Sequence, residues 1–182
     1  MSRIPTPSSI DDAPDGSREL LKGVQQQLGS VPNMFRIVSN SPAALEGYLG
    51  LNGALSKGAL PAATRERIAL AVAEVNECGY CLAAHTYLGE RFAKLSSEEI
   101  ETNRRGASTD AKADAAVRLA VQIVQRRGHV DISAIERARQ AGFTDAELVE
   151  IIAHTALNTL TNYVNVVLRT AIDFPAVDEL AA

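Results

Sequence analysis

Apolar residues along this chain recur at intervals of three and four, and nowhere do they alternate with polar ones over the length of a strand. Ser17 is expected to cap a first helix running to about Leu28, with Gly29 just past its end. The segment that follows, SVPNMFRIVSNSP, reads as a loop carrying apolar anchors. Ser41 and Pro42 then start a helix, since a proline in the first turn sacrifices no needed N–H, and Leu45, Leu49 and Leu55 line its apolar face as far as Lys57 or Gly58. Pro61 opens the central helix, where Ile68, Leu70, Ala71, Val72 and Val75 leave little polar surface. That helix should be buried, and should break near Asn76 to Gly79.

A helix from Cys78 or Gly79 to Lys94 comes next, followed by a short one in which Ser96 and Glu99 form a capping box and Gly106 marks the end. Thr109 or Asp110 begins a helix with Ala116, Val117, Leu119, Ala120, Ile123 and Val124 on its inner side, stopping at Arg127 before Gly128. Asp131 to Ala141 is a small amphipathic helix closed by Gly142. Thr144 and Glu147 make a further capping box for a last helix, apolar almost all round, that runs to about Ile172 before Pro175 ends it. The pattern predicts about eight helices and no hairpin, so the fold class is all-α. Residues 1–16, rich in Pro, Ser and Asp, are expected to form an extended N-terminal arm that orders only by lying on something else; residues 17–182 form one helical domain.

Composition narrows the function classes more than the fold. A chain of 182 residues fits one domain, because single cores are usually built from about 100 to 200 residues. The formal charge of −4, with basic residues scattered, offers nothing to nucleic acid or to an anionic membrane. The N-terminus lacks the apolar core of a signal peptide, and no run approaches the roughly eighteen apolar residues of a membrane span, so a cytoplasmic protein is expected. A last helix so apolar also predicts burial against another subunit. His154, Asn158, Asn162 and Asn165 form a polar stripe on that helix. Such a stripe needs partners, as a buried hydrogen-bond seam, at a subunit interface or along a substrate pocket.

Chemistry concentrates in Glu66 to His85, ERIALAVAEVNECGYCLAAH, which holds both cysteines and one of the three histidines. A disulfide between residues as close as Cys78 and Cys81 removes little chain entropy, so in a reducing compartment the pair is chemical rather than structural. A thiol of ordinary pKa, about 8.5, falls to about 7 or below at a helix N-terminus beside an imidazole. Cys81 and His85 lie four residues apart and so share a helical face, which makes Cys81 the nucleophile, His85 its base or hydrogen-bond partner and Cys78 the resolving thiol. Upstream, Glu66 and Glu74 are eight residues apart and only about 80° apart around a helix, so either can face the thiols. A structural zinc on Cys78, Cys81, His85 and a glutamate is the competing reading, but ligands drawn from so short a stretch would clip nothing distant together. His129 reads as exposed in a connector, and His154 as a satisfied core or interface residue.

The pattern Glu66, eleven residues, Cys78, two residues, Cys81, three residues, His85 resembles the signature of the alkyl hydroperoxidase D family, in the carboxymuconolactone decarboxylase-like superfamily. LGSVPNMFRIVSNSPAAL before it, and FTDAELVEIIAHTALNTLTNYVN and DFP after it, are similar to the peroxidase-related branch, so the resemblance spans about residues 28–175. It implies that Cys81 attacks a hydroperoxide to give a sulfenic acid, that Cys78 closes the disulfide, and that Glu66, rather than Glu74, serves a proton relay with His85. It also implies no metal or haem cofactor, reduction of the disulfide by a dithiol protein or small thiol, and a homo-oligomer, trimer or hexamer. The sequence departs from the best-studied members at Tyr80, where they carry a histidine; a neutral phenol donates a hydrogen bond but cannot act as an imidazolium beside a thiolate. A thiol–disulfide oxidoreductase using the same residues is the alternative activity. Lactone decarboxylation has no need of the cysteine pair.

Overall fold

Ser41, Pro61, Ser96, Asp110, Asp131 and Thr144 each stand just before a helix, as their residue types dictate. The computed structural model describes residues 1–178 and 180; residues 179, 181 and 182, the end of the expected helical domain, lie outside the described residues. Among the described residues there are nine helices and no strand, an all-α fold. The first, α1, spans Asp15–Leu28 and starts ahead of Ser17. Ser17 is therefore not its cap; it is buried, and its hydroxyl donates to the Ser39 carbonyl at 2.7 Å. The extra helix is α2, Asn33–Val38, in the segment expected to be a loop. Its apolar anchors Met34 and Ile37 are three residues apart and both buried, and a single helical turn is what aims them at the same core.

Four helices surround α4, Ala62–Val75: α5 (Gly79–Arg91), α6 (Ser97–Arg104), α7 (Ala111–Gln125) and α9 (Asp145–Leu168). Because α4 is covered on every side, Ile68 to Ala73 are all buried in an unbroken run. Ile68 and Val72 meet Ala116, Leu119, Leu148 and Ile151 of α7 and α9, and the short α8 (Ile132–Gln140) closes this cluster with Ala134 and Ala138. Cutting Ile68 to alanine would cost about 2–5 kcal/mol, since its surroundings leave no room for collapse. The remaining helix, α3 (Pro42–Leu55), packs with α1 on a smaller cluster around Leu21 and Leu45.

Residues 1–14 run along the helices, with Ala13 buried in the cluster around Leu21 and Leu45. The Arg3 N–H and guanidinium donate to the Leu168 and Val167 carbonyls, both at 2.8 Å, and Arg36 and Asn40 reach back to the Ser8 and Pro5 carbonyls. The last helix is shorter than the sequence predicts. It stops at Leu168 because Arg169 takes a left-handed conformation, φ 51°, and the Thr170 N–H folds back to the Asn165 carbonyl at 3.0 Å. Residues 170–178 thereby become a strap that crosses the N-terminal ends of α2 and α5. Outward, α9 leaves Val149, Ile152, Leu160, Tyr163 and Val167 exposed. No helix among the described residues is long and apolar enough to cross a membrane.

Candidate active site

The site is built where α4 turns into α5. Glu77 makes the reversal with φ 52°, and the Cys78 N–H returns to the Ala73 carbonyl at 2.9 Å. Cys78 is thus the residue capping α5, and its sulfur accepts the Cys81 backbone N–H at 3.3 Å. The two cysteines are joined as a disulfide with Cα atoms 5.3 Å apart. Both lie at the positive end of the helix dipole, which favours a thiolate there once the bond is reduced. They are 1% and 2% exposed, so neither sulfur faces open solvent.

One helical turn beyond Cys81, His85 presents Nδ1 to Glu66 Oε2 at 2.8 Å, with both side chains about one-fifth exposed. The arginines beside Glu66 do not hold it: Arg67 binds Glu99 at 2.6 Å, and Arg65 donates to the Leu55 carbonyl. Glu74, the other candidate, is instead paired with Arg104 at 2.7 Å. The structure therefore joins Cys78 to Cys81 and Glu66 to His85, and leaves Glu74 apart. The direct partner of the Cys81 sulfur, however, is the Asn165 amide of α9 at 3.3 Å.

Tyr80, between the cysteines, is committed elsewhere. Its hydroxyl donates to Asp173 Oδ1 of the strap at 2.8 Å and accepts the Met34 N–H at 3.0 Å. Burial first, and the Asp173 carboxylate in addition, push its phenol above the ordinary range against the pull of the Met34 N–H. Phe174 stands edge-on to its ring, 5.8 Å between centroids. Tyr80 is a tether for the strap, and Asp173 also accepts the Asn33 N–H at 2.8 Å.

Most of the polar stripe on α9 turns inward. Asn162 accepts from Asn76 Nδ2 at 2.9 Å, Asn158 donates to the His154 carbonyl within the helix, and His154 is buried. Burial, then the Arg65 cation, hold the His154 imidazole below its usual range, so it is neutral at physiological pH. His129 is exposed, as its place in a connector predicts. Tyr48 of α3 packs against the disulfide's apolar surround; burial and the Glu66 charge push its phenol up to about 12. Its ring also lines a cavity of about 270 Å³ between α3 and α9, with Val38, Ala44, Gly47, Leu160 and Val164. Tyr48 carried no signal in the sequence, whereas Asp173 stood in the DFP stretch and Asn165 in the stripe. Among the described residues, no three His, Cys, Asp or Glu side chains converge as a metal site would require.

Comparison with known proteins bears on the fold that carries this arrangement. Residues 42–126, which run from α3 through α7, match the model of the carboxymuconolactone decarboxylase family. The chain is similar to a peroxidase-related protein with the alkylhydroperoxidase AhpD core from Ralstonia eutropha JMP134, at 27% identity and a TM-score of 0.83 over 94% of this chain and 92% of that one. A peroxidase-related protein from Silicibacter sp. TM1040 shares the fold at 24% identity and TM-score 0.79, over 93% of each chain. So does the debrominase Bmp8, solved with 2,3,4-tribromopyrrole, at 19% identity and TM-score 0.78 over 95% of this chain and 94% of that one. No curated protein matches the chain. The chain thus carries the carboxymuconolactone decarboxylase pattern over residues 42–126 and is similar, along nearly its whole length, to a peroxidase-related protein with the AhpD core.

Proposed function

We propose that the protein is a two-cysteine peroxidase that reduces hydroperoxides through Cys78 and Cys81. The observation that carries this reading is a disulfide at the N-terminus of α5 with a His85–Glu66 pair one turn away. In the reduced protein the Cys81 thiolate attacks the terminal oxygen of ROOH; the S–O bond forms, the O–O bond breaks, and RO⁻ leaves as ROH with a proton that the imidazole supplies. Cys78 then attacks the Cys81 sulfenic acid, forming the disulfide and releasing water. Two electrons have passed from the dithiol to the peroxide, and an external dithiol, protein or small molecule, returns them. Glu66 orients His85 by accepting from Nδ1, which leaves Nε2 for the proton.

The apolar cavity beside Tyr48 supports an organic hydroperoxide over hydrogen peroxide as substrate. The exposed apolar face of α9 supports assembly with further copies of the chain. A thiol system that must be re-reduced also suits a cytoplasmic location. Thiol–disulfide exchange without peroxide is the second reading, favoured by Tyr80, whose hydroxyl is taken up by the strap and gives Cys81 no second imidazole.

The test is thiol titration before and after one equivalent of cumene hydroperoxide, on wild type, Cys78→Ser and Cys81→Ser. We expect both thiols of wild type to be lost, a sulfenic acid trapped in Cys78→Ser and no reaction in Cys81→Ser. Peroxide left unconsumed by wild type, with ready reduction of a model disulfide, would replace the first reading by the second.

A further inference from the structure

The Cys81 sulfur sits beside an amide that neither the spacing of the signature nor the family likeness assigns to the site. Asn165 Nδ2 stands 3.3 Å from Sγ, and the residue is buried. An amide nitrogen can only donate and a thiolate only accept, so the contact strengthens as the sulfur gains charge. The other half of the amide is unusual: Asn165 Oδ1 is fully buried with no hydrogen-bond partner. Buried carbonyl oxygens are costly when left unpaired, and such orphans mark places where a ligand or water completes the network. Three residues away on the same face of α9, Asn162 Nδ2 is a second buried orphan, while its own Oδ1 is fixed by Asn76. A free acceptor therefore lies on the amide that touches the reacting sulfur, with a free donor one helical turn away on α9.

We propose that Asn165 is a catalytic residue of the dithiol: its amide N–H favours Cys81 as thiolate, and its buried carbonyl oxygen accepts the O–H of the bound hydroperoxide. The second role rests on the peroxidase reading. A hydroperoxide has its only donor on the terminal oxygen, the atom that Cys81 attacks, so one amide can hold both reacting atoms. After the S–O bond forms, the same carbonyl oxygen holds the sulfenic acid hydroxyl while Cys78 approaches. The other groups that bear on Cys81 are Cys78 and His85 on α5, Glu66 of α4 through His85, Tyr48 of α3, and Asp173 of the strap through Tyr80. None of these bonds to Asn165, so substituting it leaves them in place.

The test uses the full chain in a Cys78→Ser background, where Cys81 alone titrates. Thiolate absorbance at 240 nm against pH should move up by about one pH unit in Asn165→Leu, which is about tenfold less thiolate at a pH below both midpoints. Asn165→Asp, of the same shape but without the N–H and with a negative charge, should move it at least as far, and carries the test if the leucine variant fails to fold. An unmoved midpoint would overturn the first role whatever the protein does with peroxide. For the second, the rate with cumene hydroperoxide is divided by the thiolate fraction: a further drop of at least tenfold in Asn165→Leu is expected, and an unchanged corrected rate overturns it. Should wild type consume no peroxide, the second role falls with the peroxidase reading, and the titration still decides the first.

Discussion

Glu66 Oε2 lies 2.8 Å from His85 Nδ1, a contact that bridges α4 and α5 one turn past the dithiol. A carboxylate on Nδ1 fixes the imidazole with its proton there and presents Nε2 as the free nitrogen, the arrangement by which second partners orient histidines elsewhere. In Glu66→Gln the amide can donate as well as accept, so the tautomer and the ring orientation are no longer set. We expect the rate of disulfide formation with an organic hydroperoxide to fall by about 10²-fold, at the low end of general acid–base contributions. Stopped-flow measurement on the reduced variant checks this. A fall of less than threefold would detach the pair from the chemistry.

The strap gives a separate prediction about access. Cys78 and Cys81 are nearly inaccessible, and the Tyr80 hydroxyl bridges the strap's Asp173 to the α2 N-terminus at Met34. Tyr80→Phe keeps the ring against Phe174 and removes both hydrogen bonds. A hydrogen bond to a charged partner contributes about 1.5–3 kcal/mol, so strap opening becomes easier by roughly a factor of ten or more. Reduction of the disulfide by dithiothreitol should accelerate by that factor in Tyr80→Phe, and by a similar one in Asp173→Ala. Unchanged reduction rates in both would mean that the strap does not limit access.

The residues that the sequence disclosed, and those it hid, differ in how local their chemistry is. Cys78, Cys81 and His85 lie on consecutive turns of one helix, so spacing alone could bring them together. Glu66 and Glu74 had equal claims by angle; the resemblance favoured Glu66, and the packing separates them, with Glu66 meeting His85 and Arg104 of α6 taking up Glu74. The loop expected at residues 30–42 failed for a similar reason: the helical turn of α2 is held by Tyr80 and Asp173, from 46 and 140 residues away. The early end of α9 at Leu168 had no local sign either. Arg169 is left-handed there without a glycine to announce it, and it is the bonds of the strap that repay the departure.

Glu99 supplies a pH-dependent part of the fold's stability. Its carboxylate is almost fully buried and accepts from Arg67, Asn103, Ser108 and Thr109, knotting α6 and the start of α7 onto α4. Burial by itself would raise its pKa; the hydrogen bonds from Ser108, Thr109 and Asn103 outweigh that and hold it down to about 2, from an ordinary 4.5. A carboxylate depressed in the folded state adds stability that is fully present above about pH 4.5 and is lost as pH falls toward 2. A shift of that size corresponds to about 3 kcal/mol at neutral pH. Urea unfolding of Glu99→Gln at pH 7 should show a loss of about that size. Between pH 4.5 and 2.5 the variant should lose less stability than wild type, and parallel losses would refute the assignment.

The join between α9 and the turn before α4 depends on the absence of one side chain. Glu150 of α9 reaches that turn and accepts the Ala59 and Leu60 N–H groups at 2.9 and 3.0 Å. It passes so close to Gly58 that a Cβ there would stand 2.5 Å from Oε2 and 2.7 Å from Cδ. The backbone at Gly58 is not in the left-handed region, so the glycine is required by the neighbour and not by its own conformation. Gly58→Ala must therefore push the carboxylate aside and leave two backbone donors to water. With about 0.5–1.5 kcal/mol per hydrogen bond, and more for a charged acceptor, the loss should be about 2 kcal/mol. Glu150→Ala removes the same bonds without the clash, so the double variant should be no less stable than Glu150→Ala alone. A double-mutant cycle by urea unfolding reads this directly, and additive losses would show that Gly58 acts through something other than Glu150.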